Sequence, residues 1–420
     1  MTVKCTPSVL SGTIRAISSK SHAHRVLICA ALSQNKTKIY CNVMSKDIAA
    51  TVDCLKSMGT EISVDGDIIT VVPKPFNKKA DINCGESGST LRFLMPVVSA
   101  LGIDTKISGS GRLPQRPISP LKEEMDKKGV EISSEFPLHL TGNLQSGEYE
   151  IKGNVSSQFI TGLLFALPLL DGDSTIKLIP PVESKSYLDI TTSVLRQFGI
   201  EIEEKENLYI IKGNQKYISP EEITVEGDWS NASFFLCAGA LSENGVTVTD
   251  LDVNSPQGDK KILEILSKMG ADVQISGNKV TVKKNELKGV TVDASDIPDA
   301  VPIISVVATA CEGETKIINA QRLRIKESDR IKSVVEMLSS VGADAEETPD
   351  GIIIRGGETL VGGMVNGYND HRIVISASIL SNLCEKDVII TDSNAVEKSY
   401  PDFWDCFKKR GGNVDVINDR

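Results

Sequence analysis

The sequence predicts an α/β (α+β) protein made of six tandem βαβαββ units of about 70 residues, three in each of two lobes. Two recurrences carry that prediction. A helix-like stretch closing on glycine and running into alternating apolar and polar residues recurs at 55–64, 125–134, 195–204, 266–275, 338–347 and 407–416, with its glycine at Gly59, Gly129, Gly199, Gly270, Gly342 and Gly412. Ahead of it, a turn rich in Ser, Asn and Asp precedes an apolar helical run, marked by Ser21, Ser89, Ser157, Ser230, Asp299 and Asp370. Six such pairs account for all 420 residues.

Each element has a local reason. The polar turn supplies side-chain oxygens that cap the unpaired N–H groups of a helix start. The glycine takes the left-handed conformation that ends a helix and turns the chain into a strand. Each unit therefore reads strand, helix, strand, helix, strand, strand. Units one to three run from about 14 to 213 and units four to six from about 223 onward, with the polar stretch 214–222, containing Pro220, as the connection. Residues 1–10 read as a strand outside the first unit that pairs with the second half, so the chain crosses between lobes twice. The expected division is 11–222, and 1–10 together with 223–420. Six similar helix starts give six positively polarised N-termini, expected to line a cleft between the lobes that attracts anions.

Composition narrows the function. A chain of 45.3 kDa with 40% apolar and 24% charged residues has the profile of a folded globular protein with two or three cores. The longest nearly unbroken apolar stretch, Phe159 to Leu170, contains Pro168 and falls short of the ~20 residues a membrane span needs. Residues 1–10 lack the pattern of a targeting leader, so a cytoplasmic location is expected. Nine cysteines without a C-x-x-C pair read as reduced thiols, and neither metal nor cofactor is expected. A net charge of -10 with no basic run argues against nucleic acid or anionic membrane as partner. Anions must be held by local cationic clusters.

Several helix starts carry such clusters. Lys20, Ser21 and Arg25 open the first helix, where a phosphate or carboxylate could be gripped and a basic exposed helix start is the plainer alternative. Gly85 to Thr90, followed by Arg92, reads either as a phosphate cradle or as a capping turn; it is not a Walker loop, since no Lys follows the second Gly. Ser156, Ser157 and Gln158 precede the third unit's apolar helix. Arg112 and Arg116 lie in a Gly/Pro-rich connection, and the segment 322–330 packs Arg322, Arg324, Lys326 and Arg330 with Glu327 and Asp329. Asp299 is expected to cap the fifth unit's first helix. His371 and Arg372, and Lys398, mark the two helix starts of the last unit. His22 and His24, two apart on a helix, point away from each other and do not suggest a metal pair, while His139 sits in an apolar strand pattern and reads as structural.

Nine segments in order, 19–25 SKSHAHR, 85–93 GESGSTLRF, 113–121 LPQRPISPL, 156–159 SSQF, 184–191 SKSYLDIT, 297–300 IPDA, 323–331 LRIKESDRI, 369–373 NDHRI and 397–404 EKSYPDFW, resemble the enolpyruvyl transferases, and within them the branch acting on 3-phosphoshikimate. The resemblance implies a two-lobed fold of six similar units. It also implies that the enolpyruvyl group of phosphoenolpyruvate passes to the 5-hydroxyl of 3-phosphoshikimate through a tetrahedral intermediate, in the shikimate pathway to chorismate. By the same resemblance Lys20, Ser21, Arg25, Ser156, Ser157, Gln158, Ser184, Tyr187, Asp299 and Lys326 surround 3-phosphoshikimate, and Lys20, Gly88, Arg116, Gln158, Arg330, Arg372 and Lys398 hold phosphoenolpyruvate. The 11–222 lobe is then the 3-phosphoshikimate side. Asp299 is the candidate base, Glu327 the candidate acid, and Lys20 assists the departing phosphate.

Two positions depart from relatives: Arg322 stands where some have Asn, and Glu86 where others have Asn. The branch acting on UDP-N-acetylglucosamine typically uses a cysteine in the loop corresponding to 109–120, and this chain has none there. A noncatalytic phosphate-binding scaffold is the reading from another class; it would need the helix starts but not Asp299, Glu327 and Lys20 together. Gly88 is expected to leave room for glyphosate, a compact anionic mimic of phosphoenolpyruvate. A monomer is expected.

Overall fold

The computed structural model describes residues 1–418. The chain opens with β1 (Thr2–Thr6), and six repeats follow. The first holds β2 (Gly12–Arg15), α1 (Lys20–Leu32), β3 (Thr37–Tyr40), α2 (Lys46–Ser57), β4 (Glu61–Asp65) and β5 (Ile68–Val72). The second holds β6 (Lys79–Asn83), α3 (Gly88–Ala100), β7 (Asp104–Ser108), α4 (Ser119–Asp126), β8 (Val130–Ile132) and β9 (Leu138–Gly142). The third holds β10 (Glu148–Lys152), α5 (Ser157–Ala166), β11 (Ser174–Ile179), α6 (Lys185–Gln197), β12 (Ile202–Lys205) and β13 (Leu208–Ile211). In the fourth are β14 (Glu222–Thr224), α7 (Trp229–Ala240), β15 (Val246–Thr249), α8 (Ile262–Met269), β16 (Asp272–Ser276) and β17 (Lys279–Lys283). The fifth has β18 (Thr291–Asp293), α9 (Val301–Thr309), β19 (Glu314–Ile318), α10 (Arg330–Ser339), β20 (Asp344–Thr348) and β21 (Gly351–Arg355). The sixth has β22 (Gly363–Val365), α11 (His371–Leu380), β23 (Val388–Ile390), α12 (Phe403–Lys409) and β24 (Asn413–Asn418).

The second repeat shows the common sheet. Its order is β6-β7-β9-β8, with β6 parallel to β7 and the other two pairs antiparallel. The third and fifth repeats copy it. The first and fourth exchange their opening strands: β14 lies parallel to β3, with Ile223 opposite Ile39, while β2 lies parallel to β15, with Ile14 opposite Val248. In the last sheet β1 sits between β23 and β24, antiparallel to both, in the place that β9 takes in the second repeat.

By contacts the chain divides into one unit of residues 1–17 with 226–420, and another of residues 18–225. The division expected at 11 and at 222/223 is corrected to these bounds. The reason is the exchange: β2 completes the fourth repeat's sheet, and β14 with the segment before it stays on the 18–225 unit, where the Asn214 N–H donates to the Leu170 carbonyl.

The two helices of a repeat differ in burial. All nine residues of α9 are buried, and α1, α3, α5, α7 and α11 are buried over nearly their full length, whereas α2 and α6 bury only one stripe each. In the 18–225 unit α3 and α5 approach so closely that a Cβ at Gly162 would collide with the Arg92 carbonyl. The second helices close as expected, on left-handed glycines at Gly59, Gly129, Gly199, Gly270 and Gly342. In the last repeat that residue is Gly411 (φ 101°), not Gly412, because α12 ends at Lys409 and Arg410 is the cap.

Among the described residues no helix is long and apolar enough to cross a membrane. The nine cysteines are unbridged, with all but Cys406 buried. His139, expected to be structural, faces outward from β9 and pairs with Asp104 at 2.7 Å, while its apolar neighbours Leu138 and Leu140 take the inward positions.

Candidate active site

In five of the six first helices the polar turn caps the helix as its composition dictates. Ser19, Ser87, Ser156, Asp228 and Asp370 each accept a backbone N–H from the first turn of α1, α3, α5, α7 and α11. The 85–90 loop is thus a capping turn. The sixth differs: α9 begins at Val301 with Pro302 in its first turn, and its cap residue Ala300, with only a methyl group, makes no side-chain capping bond. Asp299 is therefore not the N-cap expected of it, and its carboxylate is left for side-chain cations.

In the 18–225 unit, Arg25 on α1 is buried, at 2% exposure. Its hydrogen bonds go to neutral oxygens: the Ser21 carbonyl (2.6 Å), the Thr191 hydroxyl (2.8 Å), the Tyr187 carbonyl (2.9 Å) and the Thr161 hydroxyl (3.4 Å). Its guanidinium also lies 5.0 Å from the centre of the Phe93 ring. Burial pushes it down to about 10, the consequence of holding a cation where its neighbours supply dipoles but no charge. Lys20 at the start of the same helix bonds to Asp47 at 2.9 Å. Asp47 went unnoticed in the sequence, where it is an ordinary acidic residue in the first turn of α2.

The Arg92 guanidinium donates to the Gln158 side-chain oxygen at 2.6 Å and to the Pro117 carbonyl at 2.9 Å, and Gln158 in turn donates to Ser89 at 2.9 Å. Arg92 and Ser89 thus fix Gln158, a link that sequence spacing does not reveal. Ser157 is buried beside the Ser156 cap. Ser184 precedes α6 with φ 54°, a left-handed conformation unusual for serine and of the kind that a local function tends to retain. Gly88 opens α3 against Arg116. A Cβ built on it would stand 2.7 Å from the Arg116 Nη1, so the space expected beside Gly88 for glyphosate is filled by a guanidinium. Glu86 lies against Gly111.

In the other unit, Asp299 is the centre of a denser cluster. Arg330 Nη1 donates to Asp299 Oδ1 at 2.8 Å, Arg372 Nη2 to Oδ2 at 3.1 Å, and Lys326 Nζ stands 3.6 Å from Oδ1. Burial pushes the Asp299 carboxyl up, but Arg372, Lys326 and Arg330 together hold it well below the usual carboxylate range. Arg330, 1% exposed, also binds Glu327 at 2.7 Å and Asp370 at 2.8 Å. Against its burial, those carboxylates fix its charge. Asp370 has two tasks, capping α11 and holding Arg330 and Ser328. Burial lowers Lys326 to about 8.

Arg372 reaches the Asp299 carbonyl at 2.9 Å and the Ser230 hydroxyl at 2.7 Å. Lys398 donates to the Asn369 carbonyl at 2.6 Å. Arg322 donates to the Ser295 carbonyl at 2.7 Å, bracing the loop that leads to Asp299. Lys20, Ser21, Arg25, Gly88, Arg116, Ser156, Ser157, Gln158, Ser184 and Tyr187 thus belong to one unit, and Asp299, Lys326, Glu327, Arg330, Arg372 and Lys398 to the other. Chemically, the first set offers cations and hydroxyls suited to a phosphorylated polyol. The second offers a carboxylate among three cations, an arrangement suited to a small polyanion.

Residues 5–407 match the family described as EPSP synthase (3-phosphoshikimate 1-carboxyvinyltransferase). The 3-phosphoshikimate 1-carboxyvinyltransferase of Clostridium novyi (strain NT) is 44% identical over 431 residues, covering 98% of each chain, and that of Clostridioides difficile (strain 630) is 42% identical over 434 residues, covering 99% of each. The EPSP synthase structure from Acinetobacter baumannii superposes with a TM-score of 0.82 at 25% identity, covering 99% of this chain and 100% of that one. The enolpyruvyl transferase NikO from Streptomyces tendae shares the fold, with a TM-score of 0.80 at 16% identity over 99% and 98% of the two chains. A profile match over nearly the whole length and relatives above 40% identity agree with the clusters around Arg25 and Asp299, and the chain belongs to the EPSP synthase (3-phosphoshikimate 1-carboxyvinyltransferase) family.

Proposed function

We propose the following division of labour for the reaction this chain catalyses, transfer of the enolpyruvyl group of phosphoenolpyruvate to 3-phosphoshikimate. Lys20, Ser21, Arg25, Ser156, Ser157, Gln158, Ser184, Tyr187, Asp299 and Lys326 bind 3-phosphoshikimate. Phosphoenolpyruvate is held by Lys20, Gly88, Arg116, Gln158, Arg330, Arg372 and Lys398. A carboxylate and a phosphate on one small molecule call for two cationic clamps, each charge-assisted bond contributing ~1.5–3 kcal/mol of positioning.

The observation that carries the proposal is Asp299 bracketed by Arg330 and Arg372. In the addition step, Asp299 takes the proton of the 5-hydroxyl as its oxygen bonds to C2 of phosphoenolpyruvate, and Glu327 delivers a proton to C3. The product is a tetrahedral intermediate joined to substrate, not to protein. In the elimination step the C2–O bond to phosphate breaks, C3 returns its proton to Glu327 as the C2–C3 double bond re-forms, Lys20 neutralises the leaving phosphate, and the proton held by Asp299 passes to that phosphate. A base works best with a pKa near the operating pH, and three cations hold Asp299 far below it. The arriving carboxylate and phosphate give Arg330 and Arg372 an alternative partner, which releases Asp299 upward when the hydroxyl is at hand.

Phosphate release assayed with phosphoenolpyruvate should require 3-phosphoshikimate. Equal turnover with UDP-N-acetylglucosamine would overturn the substrate assignment, and binding of both anions without phosphate release would favour the scaffold reading. A monomer in the cytoplasm belongs to the same proposal, and sedimentation at micromolar concentration checks the first half of it.

A further inference from the structure

The first repeat buries a histidine that the proposed mechanism does not use. His24 on α1, Thr51 on α2, Thr90 on α3 and Ser87, the cap of α3, are all fully buried. Their side chains form one line of hydrogen bonds: His24 Nδ1 lies 2.7 Å from Thr51 Oγ1, Thr51 Oγ1 2.7 Å from Thr90 Oγ1, and Thr90 Oγ1 2.7 Å from Ser87 Oγ. The whole line belongs to the 18–225 unit.

The number of protons fixes its direction. Thr90 donates its hydroxyl proton to Ser87 and so accepts from Thr51, which, having given its own proton away, accepts from the Nδ1–H of His24. The imidazole is then the neutral Nδ1–H tautomer with a bare Nε2, and Nε2 is the ring nitrogen without a partner among the described residues. Burial, with Lys20 and Arg25 adding to it, holds the ring well below the usual histidine range, so it stays neutral at pH 7.

Three helices are joined in this way. Asp47 and Thr51, one turn apart on α2, meet Lys20 and His24, one turn apart on α1, so two rungs fix α2 against α1. The second rung continues through Thr51 to α3. There the Thr90 N–H and hydroxyl both donate to Ser87 Oγ and close the turn that holds Gly88 and Ser89 between them. Arg116 packs on Gly88, and Gln158 donates to Ser89 at 2.9 Å.

We infer that Thr51 and Thr90, with His24 behind them, are positioning residues for the transfer reaction: their hydroxyls set where the start of α3 stands against α1 and α2, and so where Arg116 and Gln158 meet phosphoenolpyruvate. This rests on the assignment of Gly88, Arg116 and Gln158 to that substrate. The α1 group assigned to 3-phosphoshikimate is held separately, since Arg25 has its own bonds to Thr161, Thr191 and Tyr187. The two substrates should therefore respond differently when the line is cut.

Thr51→Val removes the central hydroxyl at nearly constant shape, and Thr51→Ser keeps it. Expected for Thr51→Val are a KM for phosphoenolpyruvate raised about fivefold, a KM for 3-phosphoshikimate changed less than about twofold, and a lower melting temperature, because the His24 N–H and Thr90 each lose a partner. Thr51→Ser should match the parent in all three. To separate lost stability from lost positioning, His24→Leu, Thr51→Val and Thr90→Val are combined: with those polar groups gone together the protein should melt near the parent, while its KM for phosphoenolpyruvate stays raised. An unchanged KM for phosphoenolpyruvate in Thr51→Val, equal rises in both KM values, a Thr51→Ser variant that behaves as Thr51→Val, or a triple variant with the parental KM would each overturn the inference. Arg116→Ala tells its failure from that of the reading beneath it. A raised KM for phosphoenolpyruvate in Arg116→Ala beside an unchanged one in Thr51→Val removes the inference alone, whereas an unchanged KM in Arg116→Ala removes the substrate assignment and the inference with it.

Discussion

Arg372 grips Asp299 twice, donating from Nη1 to its backbone carbonyl at 2.9 Å and from Nη2 to its carboxylate at 3.1 Å. The proposed base and a proposed substrate cation are therefore one mechanical unit, and a change to either is felt by the other.

Asp299→Asn keeps the size and most hydrogen bonds of the side chain but cannot accept a proton. Turnover should fall by about 10²–10⁴, the range that general base catalysis supplies, while calorimetry still shows 3-phosphoshikimate binding. Near-normal rates, or lost binding, would remove Asp299 from the role of base.

Gly88→Ala places a methyl group 2.7 Å from the present position of Arg116 Nη1, and the flexible guanidinium must yield. The KM for phosphoenolpyruvate should rise roughly tenfold, equivalent to about 1.4 kcal/mol of binding, with inhibition by glyphosate weakened. Steady-state inhibition unchanged by the substitution would mean that Arg116 does not face the anion.

Lys326, which burial lowers to about 8, should lose its charge as pH rises through that value. Affinity for 3-phosphoshikimate should then fall by up to about tenfold per pH unit above 8, and Lys326→Arg, whose cation does not titrate there, should flatten the profile. Titration calorimetry from pH 7 to 9.5 decides it.

Arg330→Ala would leave Asp370, Glu327 and Asp299 facing one another without their shared cation. The expected loss is about 3–5 kcal/mol, measured as a shifted urea midpoint. A change below about 1 kcal/mol would show that the carboxylates repartner.

Removing residues 1–6 takes away the strand between β23 and β24, where Val3 and Cys5 are buried. Protection from hydrogen exchange should collapse in α11, β23 and β24 while α3 and α5 keep theirs.

Much of this architecture is written locally. Capping oxygens at Ser19, Ser87, Ser156, Asp228 and Asp370 and left-handed glycines act within a turn of chain, so a repeat of about 70 residues is legible from spacing alone. The strand exchange is not, because β3 and β15 offer the same alternating pattern to whichever parallel neighbour arrives, and nothing in β2 or β14 says which. The cationic residues of the site were legible as types. Their partners were not: Asp47 beside Lys20, Ser230 beside Arg372 and Asp370 beside Arg330 are brought in from 27, 142 and 40 positions away. Asp299 reads as a cap in the sequence, but Ala300 takes that position and α9 starts at Val301, a detail that depends on backbone geometry rather than residue type.

The placement of β1 and β2 has a consequence for synthesis on the ribosome. Both strands are translated first, yet their partners β15, β23 and β24 arrive only hundreds of residues later. At elongation rates of about 5–20 residues per second, those leading segments wait some tens of seconds with bare edges, while residues 18–225 can already settle into their own unit. The shortness of β1 and β2, five and four residues, limits what such idle strands can capture in a crowded nascent chain.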